Sequence, residues 1–342
     1  MDSMELSAGI AAKPLDTEDL LTGAELSADE VRSLFATAER LKAEPTRYAG
    51  LLKGRAAVLI FEKPSLRTRV SFEVGISRLG GYPLFYDHAS SRIGERESVH
   101  DYARNLERWV DVIIPRTFSH AVLEQLAAFA RVPVVNALSD DFHPCQALAD
   151  LFTLAEHLGE LRGRRLCFIG DGNNVCRSLV LVATALGMHV SIVSPEGFGL
   201  DQRALELGGA RARASGGSLR QSNDPGLVEG SDAVYTDAWT SMGREHEAQE
   251  RRQRFLRYQV NRTLMERAGP KALFMHCLPA HRGEEVTDEV IDSPASVVFD
   301  QAENRMHAQN ALLVHLLCAK PRTPKAEVLR DEPAPTGARS IA

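Results

Sequence analysis

The sequence lacks several features that would place the protein in a membrane or outside the cell. No apolar run among its 342 residues approaches the roughly 20 residues that a membrane-spanning helix needs. The first twenty residues contain acids but no arginine, so we expect neither a secretory signal nor a mitochondrial presequence there. The five cysteines are few and scattered, and none has metal-finger spacing, which is typical of a reduced cytoplasmic protein.

The sequence also lacks an excess of positive charge, internal repeats and a low-complexity core. Its 40 Lys and Arg against 46 Asp and Glu leave a net charge of −6. We therefore expect no general attraction to nucleic acid or to an anionic membrane. An apolar content of 44% with 25% charged residues is typical of a globular protein, and the length favours two domains with separate cores.

What the sequence does contain, from about residue 56 onward, is an alternation of short apolar segments with amphipathic ones. The β-branched apolar segments predict strands in two series. The first series is 56–62, 83–87, 110–115 and 132–137, and the second is 165–171, 189–195, 232–237, 272–278 and 296–300. Helical patterns such as 120–131 and 177–187 lie between them. This alternation predicts an α/β protein with two doubly wound parallel-sheet domains.

Two further helical segments are predicted to connect these domains. Residues 145–160 form a bridge between the two strand series, and 301–320 form a return helix that packs on the first domain. The first domain is thus expected at 1–150, completed by the return helix and tail at about 306–342, and the second at 151–305. The tail from Lys320 onward has four prolines and few apolar residues, so we expect it to be disordered.

Polar side chains follow the strands of the first series, at the sheet edge where ligands bind in open parallel sheets. Arg116 follows strand 110–115, and His143 and Gln146 follow 132–137. The strand at 56–62 is followed by Ser65, Arg67, Thr68 and Arg69. Two arginines at a helix start oppose the helix dipole, so their presence needs a reason. A phosphate supplies it, because free N–H groups, hydroxyls and guanidinium forks all match its oxygens.

The second series carries different chemistry at its strand ends. Asn173 and Asn174 follow 165–171, and Asp237 follows 232–237 just before the TSMG segment at 240–243. Strand 272–278 ends with His276, Cys277 and Leu278. A polar edge with a single acid suits an amino-acid head group or an amine. Two such edges facing each other predict a cleft for two substrates between the domains.

Four segments in order resemble the transcarbamylases, and within them the ornithine carbamoyltransferase branch. They are SLRTR (65–69), HPCQALAD (143–150), DAWTSMG (237–243) and HCLPAHRGEEVTDEVID (276–292), and the likeness covers about residues 15–320. The resemblance implies a carbamoyl-phosphate domain and an amino-acid domain, usually in a homotrimer with active sites at subunit interfaces. It implies carbamoyl transfer from carbamoyl phosphate to L-ornithine, giving L-citrulline and phosphate in arginine or citrulline metabolism. No metal or organic cofactor is implied.

The resemblance also implies roles on the carbamoyl-phosphate side. The phosphate would be held by Ser65, Leu66, Arg67, Thr68 and Arg69. Arg116 would bridge the phosphate and the carbonyl oxygen, where charge develops as the amine attacks. His143 would donate to that oxygen, Gln146 would accept from the carbamoyl NH₂, and Arg305 would approach from the return helix.

Two of these positions depart from the family pattern. Leu66 stands where many relatives have threonine, and we expect its side chain to point away from the phosphate. Arg92 stands where many relatives have glutamine or histidine that reaches a neighbouring subunit's phosphate site. We expect Arg92 to contact the same anion across that interface.

On the ornithine side, the resemblance assigns the α-amino and α-carboxylate groups to Asn174 and Asp237, with Ser241 and Met242 helping. Cys277 and Leu278 would border both the carbamoyl phosphate and the δ-amine. Cys277 has no adjacent base in sequence, and direct attack by an amine needs no covalent intermediate. We therefore predict that Cys277 orients the reactants.

Three other interpretations remain open. A transcarbamylase acting on a different amine or diamino acid would share most of these residues, although Asp237 and TSMG favour a free α-amino acid. A nicotinamide-dependent oxidoreductase built on IGDGNN (169–174) is weakly indicated, because the third glycine and an acid-terminated second strand are missing. A catalytically idle amino-acid sensor or interaction subunit is disfavoured by the joint presence of Arg116, His143 and Gln146 with Arg67.

Overall fold

A computed structural model describes residues 12–240 and 245–318. The first sheet contains β1 (Ala56–Phe61), β2 (Tyr82–Asp87) and β3 (Val112–Arg116), in the order β2-β1-β3. The second contains β4 (Arg165–Ile169), β5 (His189–Val193), β6 (Ser218–Ser222), β7 (Ala233–Thr236) and β8 (Leu273–His276), in the order β6-β5-β4-β7-β8. Neighbouring strands are parallel in both sheets, which confirms the predicted fold class.

Helices separate most of the strands. They are α1 (Ala28–Ala43), α2 (Leu66–Arg78), α3 (Val99–Leu106), α4 (His120–Phe129), α5 (Pro144–Leu158), α6 (Asn174–Ala185), α7 (Gln202–Ser215), α8 (Ala248–Phe255), α9 (Arg262–Ala268), α10 (Asp288–Ile291) and α11 (Val298–Cys318). Short 3-10 turns lie at 225–228, 245–247 and 256–258. Within the described ranges, none of the helices combines the length and the apolarity needed to cross a membrane.

The two connecting helices pack against each other in the middle of the molecule. Helix α5 follows the first strand series, and α11 returns to pack on α5, α1 and α2. Side chains of α5 and α11 are buried along most of their length, and one apolar core runs from α1 through both helices to the second sheet. Because both helices touch both halves, groups carried on them can meet ligands held by either sheet.

Local chemistry explains why helices begin at the sheet edge that carries the polar residues. The Ser65 hydroxyl accepts from the N–H of Thr68 and caps α2, and Asn173 accepts from Val175 and Cys176 and caps α6. Phe61, at the end of β1, pairs in register with Arg116 at the end of β3. The loops after these two strands therefore leave the sheet from neighbouring points.

Three elements differ from the prediction. The prediction of a strand at 296–300 is wrong. Helix α11 begins at Val298, and within this segment only Ser296 makes a β-bridge, with Phe274. Residues 132–137 form isolated bridges, to β3 and to Leu20, in place of a strand. Strand β6 was not predicted, because its sequence SLRQS has no apolar run and lies at the sheet edge.

The predicted disordered tail from Lys320 onward lies outside the described residues, and so do Ser241 and Met242 of the predicted ornithine site.

Candidate active site

A group of buried cationic and imidazole side chains lies at the carboxyl edge of the first sheet. Arg116 ends β3, His143 precedes α5, and Arg305 comes from the first half of α11. All three are buried, with Arg116 only 4% exposed. Arg116 experiences the charges of Arg305 and Arg67, and His143 those of Arg305 and Arg116. The structure therefore brings together four residues that the sequence places in four separate segments.

Burial shifts the titration of this group. Burial, followed by the charges of Arg305 and Arg67, lowers the pKa of Arg116 to about 9. Burial and the two neighbouring arginines hold the pKa of His143 well below its ordinary value, so the imidazole is neutral at pH 7. Within the described protein, the Nε of Arg116 and the Nδ1 of His143 make no hydrogen bond. A buried guanidinium that lacks such a partner is suited to receive an anion, and a neutral imidazole can donate to an uncharged oxygen.

A hydrogen-bond network joins this group to the start of α2. Arg305 donates through Nη1 to the Oε1 of Gln146 and through Nη2 to the Oγ1 of Thr68, the latter at 3.2 Å. The Ser65 hydroxyl lies 3.0 Å from the same Thr68 oxygen. Residues predicted to hold phosphate and carbamoyl groups thus form one connected set across α2, α5 and α11.

Three other predicted phosphate residues stand outside this network. Arg69 pairs with Glu73 at 3.2 Å and lies 3.7 Å from the centroid of the Phe85 ring. The guanidinium of Arg92 lies 4.4 Å from the ring centroid of Phe118 in its own chain. Leu66 is 75% exposed in the first turn of α2. The structure does not bring these three side chains into contact with Arg116, and their roles stay predictions.

On the second sheet, the ends of β7 and β8 meet through Asp237 and Cys277. The Sγ of Cys277 donates to Asp237 Oδ1 at 3.0 Å, and Asn173 Nδ2 donates to Asp237 Oδ2 at 2.7 Å. Asn174, which the sequence assigned to the amino-acid substrate, donates to the carbonyl of Ser139 at 2.6 Å. It therefore links the second sheet to a loop of the first. Asn173 is a site residue that sequence reasoning noticed but gave no role.

The Cys277 thiol is not an activated nucleophile in this structure. Burial and then the carboxylate of Asp237 raise the pKa of Cys277 well above its ordinary value, so the thiol stays protonated. The following residue, Leu278, has a left-handed backbone with φ 58°, which is uncommon for a residue other than glycine. Its N–H donates to His276 Nδ1 at 2.8 Å, which holds this turn against β8.

The same turn contains a set of potential metal donors. Asp237, His276 and Cys277 each place one donor atom within 4.8 Å of the others. However, His276 Nδ1 accepts from Leu278 and Nε2 lies 3.2 Å from Glu285, so neither ring nitrogen is open. With the thiol protonated as well, we assign no metal to these residues.

Sequence reasoning missed a buried layer behind the predicted site. Asp150 Oδ1 accepts from Gln146 Nε2 at 2.7 Å and from Gln301 Nε2 at 2.9 Å. The hydroxyl of Tyr235, on β7, faces the same carboxylate. Asp150 stands within the HPCQALAD segment, where it could have been noticed. No local pattern in the sequence points to Gln301 or Tyr235.

Residues 18–156 match the family model described as aspartate/ornithine carbamoyltransferase, carbamoyl-P binding domain, and residues 162–316 match the Asp/Orn binding domain of the same family. A Shewanella oneidensis protein named ornithine carbamoyltransferase is 49% identical, over 85% of this chain and 97% of its own length.

Two relatives from Pyrococcus furiosus, one a sequence and one a solved structure, are similar to this chain. A protein named ornithine carbamoyltransferase, anabolic, is 48% identical over 86% of this chain and 95% of its own length. A solved structure of ornithine carbamoyltransferase from the same organism superposes with a TM-score of 0.85 at 47% identity. It covers 87% of this chain and 96% of that one.

Proposed function

The chain belongs to the aspartate/ornithine carbamoyltransferase family, and from this premise we propose that it transfers the carbamoyl group of carbamoyl phosphate to the δ-amine of L-ornithine. The products are L-citrulline and phosphate. The observation that carries the proposal is the meeting of buried Arg116, His143 and Arg305, from which hydrogen bonds run through Asp150 to the backbone of His276, next to Cys277. A cationic group that suits an anion is therefore linked to the segment that would border the amine.

On the carbamoyl-phosphate side, buried Arg116 and exposed Arg67 receive the phosphate. Arg116 and Arg67 lower the free energy of its negative charge, with the Ser65 and Thr68 hydroxyls as further donors. Neutral His143 donates to the carbonyl oxygen, whose negative charge grows as the amine attacks. Arg116 and His143 are already buried together in the free protein, whereas the Ser65 and Thr68 hydroxyls exchange their hydrogen-bond partners when the substrate binds.

The amide of Gln146 has a different task on the same substrate. Its Oε1 accepts from Arg305 in the free protein. When carbamoyl phosphate binds, that oxygen accepts from the carbamoyl NH₂, and the Arg305 guanidinium turns toward the substrate. The carbamoyl group is then held at both its nitrogen and its oxygen, which fixes the direction from which the amine must approach.

The attacking amine must lose its proton before it can react. A free δ-amine resembles lysine, with a pKa near about 10.4, so only a small fraction is neutral at pH 7. The positive charges of Arg116 and Arg305, together with exclusion of water, favour the neutral amine. Asp237 and Asn174 hold the α-amino and α-carboxylate groups, and Asn173 keeps the Asp237 carboxylate oriented.

A colorimetric assay for ureido products, with carbamoyl phosphate and a panel of amines, tests the proposed function. We expect product with L-ornithine at a kcat/KM well above that for shorter or longer diamino acids and for putrescine. A higher kcat/KM for another amine would establish the alternative acceptor. Absence of ureido product with every amine would favour the amino-acid sensor.

We further propose that the protein assembles as a homotrimer. Support comes from an exposed apolar flank, formed by α2 and the edge strand β2. Its exposed side chains are Leu66, Val70, Val74, Tyr82, Leu84 and Tyr86. Burying such a flank between copies is favourable, and an edge strand left open is prone to association. Sedimentation velocity of Val74→Asp is expected to show smaller particles than the wild type, and an unchanged coefficient would contradict this interface.

Arg92 is proposed to reach the phosphate of a neighbouring subunit in that assembly. Its side chain stacks on Phe118 beside Lys63, whose ammonium lies 4.3 Å from the same ring centroid. Arg92→Ala should raise the KM for carbamoyl phosphate while leaving the KM for ornithine nearly unchanged. An unaltered KM for carbamoyl phosphate would count against the contact.

The proposed direction of the reaction is biosynthetic, because a relative of 48% identity is named anabolic. A cytoplasmic location is proposed as well. It is supported by the five cysteines, which are all free thiols.

A further inference from the structure

One buried carboxylate lies between the two halves of the candidate site. Asp150, on α5, is fully buried, and its Oδ1 accepts from Gln146 at 2.7 Å and from Gln301 at 2.9 Å. Gln146 accepts in turn from Arg305, and Gln301 Oε1 accepts from the backbone N–H of His276 at 3.0 Å. A continuous chain of hydrogen bonds therefore runs from the cationic group to the end of β8.

This chain leaves each glutamine amide only one orientation. A carboxylate only accepts hydrogen bonds, whereas a guanidinium and a backbone N–H only donate. Gln146 must therefore present its NH₂ to Asp150 and its oxygen to Arg305, and Gln301 must present its NH₂ to Asp150 and its oxygen to His276. If either amide were reversed, its oxygen would face the carboxylate oxygen of Asp150, and its NH₂ would face the guanidinium or the backbone N–H. Neither hydrogen bond could then form.

The consequences reach both substrates. The Gln146 oxygen is the group that accepts from the carbamoyl NH₂ in the proposed reaction. Gln301 holds the backbone of His276, and the next two residues are Cys277 and Leu278, which border the amine. One acceptor oxygen thus sets the geometry of a contact on each side of the cleft.

We propose that Asp150 is a positioning residue that couples the carbamoyl-phosphate half-site to the ornithine half-site, by orienting Gln146 and Gln301 from a single oxygen atom. The inference rests on the proposed function and deepens it. It assigns no contact between Asp150 and either substrate.

The orienting role of Asp150 depends on its acceptor oxygen and not on its charge. The titratable groups that face its carboxylate are Arg305 from α11, Tyr235 from β7 and Cys277 after β8. Burial raises the pKa of Asp150 to about 6, against the opposing effect of the hydrogen bonds from Gln146 and Gln301. The carboxylate is ionised above pH 6. Below that value Oδ2, which makes no hydrogen bond to the described residues, takes the proton, so Oδ1 still accepts from both amides and only the negative charge near Arg305 is lost.

The test compares Asp150→Leu and Asp150→Asn with Thr153→Val. Thr153 lies one turn further along α5 and accepts from Asn304 of α11 at 2.9 Å, so it is a matched buried contact between the same helices. The measurements are KM for both substrates, kcat, the pH profile of kcat/KM, and the affinity for L-norvaline with and without carbamoyl phosphate. L-Norvaline has ornithine's α-groups but lacks the reactive amine.

We expect Asp150→Leu to lower kcat/KM at least 100-fold, to raise both KM values, and to bring the ratio of norvaline affinities with and without carbamoyl phosphate toward one. Asp150→Asn keeps an acceptor oxygen, so its kcat/KM at pH 8 should stay within tenfold of wild type. Its pH profile of kcat/KM should follow that of the wild type, because protonated Asp150 also keeps an acceptor oxygen, and its ratio of norvaline affinities should match the wild-type ratio. Thr153→Val should lower the melting temperature while leaving both KM values and the affinity ratio unchanged.

Two results would overturn the inference. One is an Asp150→Leu enzyme with wild-type kinetics or an unchanged affinity ratio. The other is an Asp150→Asn enzyme whose ratio of norvaline affinities falls to one although an acceptor oxygen is kept, which decides the matter even where the leucine variant does not fold. A wild-type enzyme that makes no ureido product would instead refute the proposed function, so the two failures are distinguishable.

Discussion

Replacing Arg116 by methionine should make the free protein more stable while removing its response to phosphate. The buried guanidinium is charged in the folded protein at neutral pH, and its neighbours Arg305 and Arg67 are also cationic. A pKa lowered in the folded state means that folding disfavours the charged form of this base. The cost is therefore fully present at every pH below about 9 and falls as the pH rises through that value.

The size of the effect follows from the shift. With about 1.36 kcal/mol for each pKa unit, a pKa of about 9 corresponds to a cost of roughly 5 kcal/mol. Methionine recovers the packing of the aliphatic stem but not every contact. Replacing a buried ion pair by apolar residues is often neutral or stabilises a protein by about 1–4 kcal/mol, and we expect a gain in that range for this unpaired cation. At roughly 2–4 °C for each kcal/mol, the melting temperature should rise by several degrees.

The assay is differential scanning calorimetry in a buffer free of phosphate, repeated with inorganic phosphate. At 100 times its Kd, phosphate should stabilise the wild type by about 2.7 kcal/mol. It should barely shift Arg116→Met. Arg55→Met is the control. Arg55 lies away from the candidate site, where its guanidinium is 2.9 Å from the carboxylate of Asp111, so this variant should keep the phosphate response. An Arg116→Met protein that is less stable than wild type, yet still stabilised by phosphate, would refute the reasoning.

Three further predictions follow from other parts of the structure. Cys277→Ser should retain kcat within about 100-fold of wild type, because a hydroxyl can donate to Asp237 as the thiol does; a loss near 10⁶-fold, typical of removing a covalent nucleophile, would contradict an orienting role. The kcat/KM for ornithine should rise about tenfold per pH unit from pH 7 to 9, since the neutral amine becomes more abundant, and a flat profile would exclude capture of that amine as limiting. Gly75→Ala should destabilise the protein by about 1–3 kcal/mol in urea unfolding, because a Cβ there would collide with the side chain of Asn310 on α11, and wild-type stability would contradict that close packing.

The fold was largely predictable because buried parallel strands leave a continuous apolar signal. Strands β1, β4 and β5 all began at the predicted residue, since each is an apolar run followed by polar residues. Strand β6 could not be predicted, because an edge strand needs few apolar residues and its sequence SLRQS is polar. The segment 296–300 shows the opposite error. Its apolar residues pack as the first turn of a helix, and five residues cannot distinguish the two periodicities.

The candidate site was predictable only where residues follow strand ends. Arg116 and His143 leave the first sheet where the topology requires, so their meeting with Arg67 could be expected from the sequence. The role of Asn173 could not, because two adjacent asparagines at a helix start look alike until one caps the helix and reaches Asp237. The role of Gln301 was even harder to predict from the sequence. Its contact with Asp150 joins residues 151 positions apart, which only the packing of α11 on α5 brings together.

The hydrogen bonds around Asp150 also explain how the folded protein tolerates a buried positive charge that no ion pair neutralises. Arg305 is fully desolvated, and burial lowers its pKa, but the nearby Asp150 carboxylate opposes that effect. Asp150 lies behind Gln146, so its charge supports Arg305 without forming an ion pair that would occupy the guanidinium. A direct pair would satisfy the free protein better, yet phosphate would then have to displace a carboxylate to bind. Placing an amide between the acid and the base keeps the positive charge available to the substrate, and the fold accepts a lower stability in return.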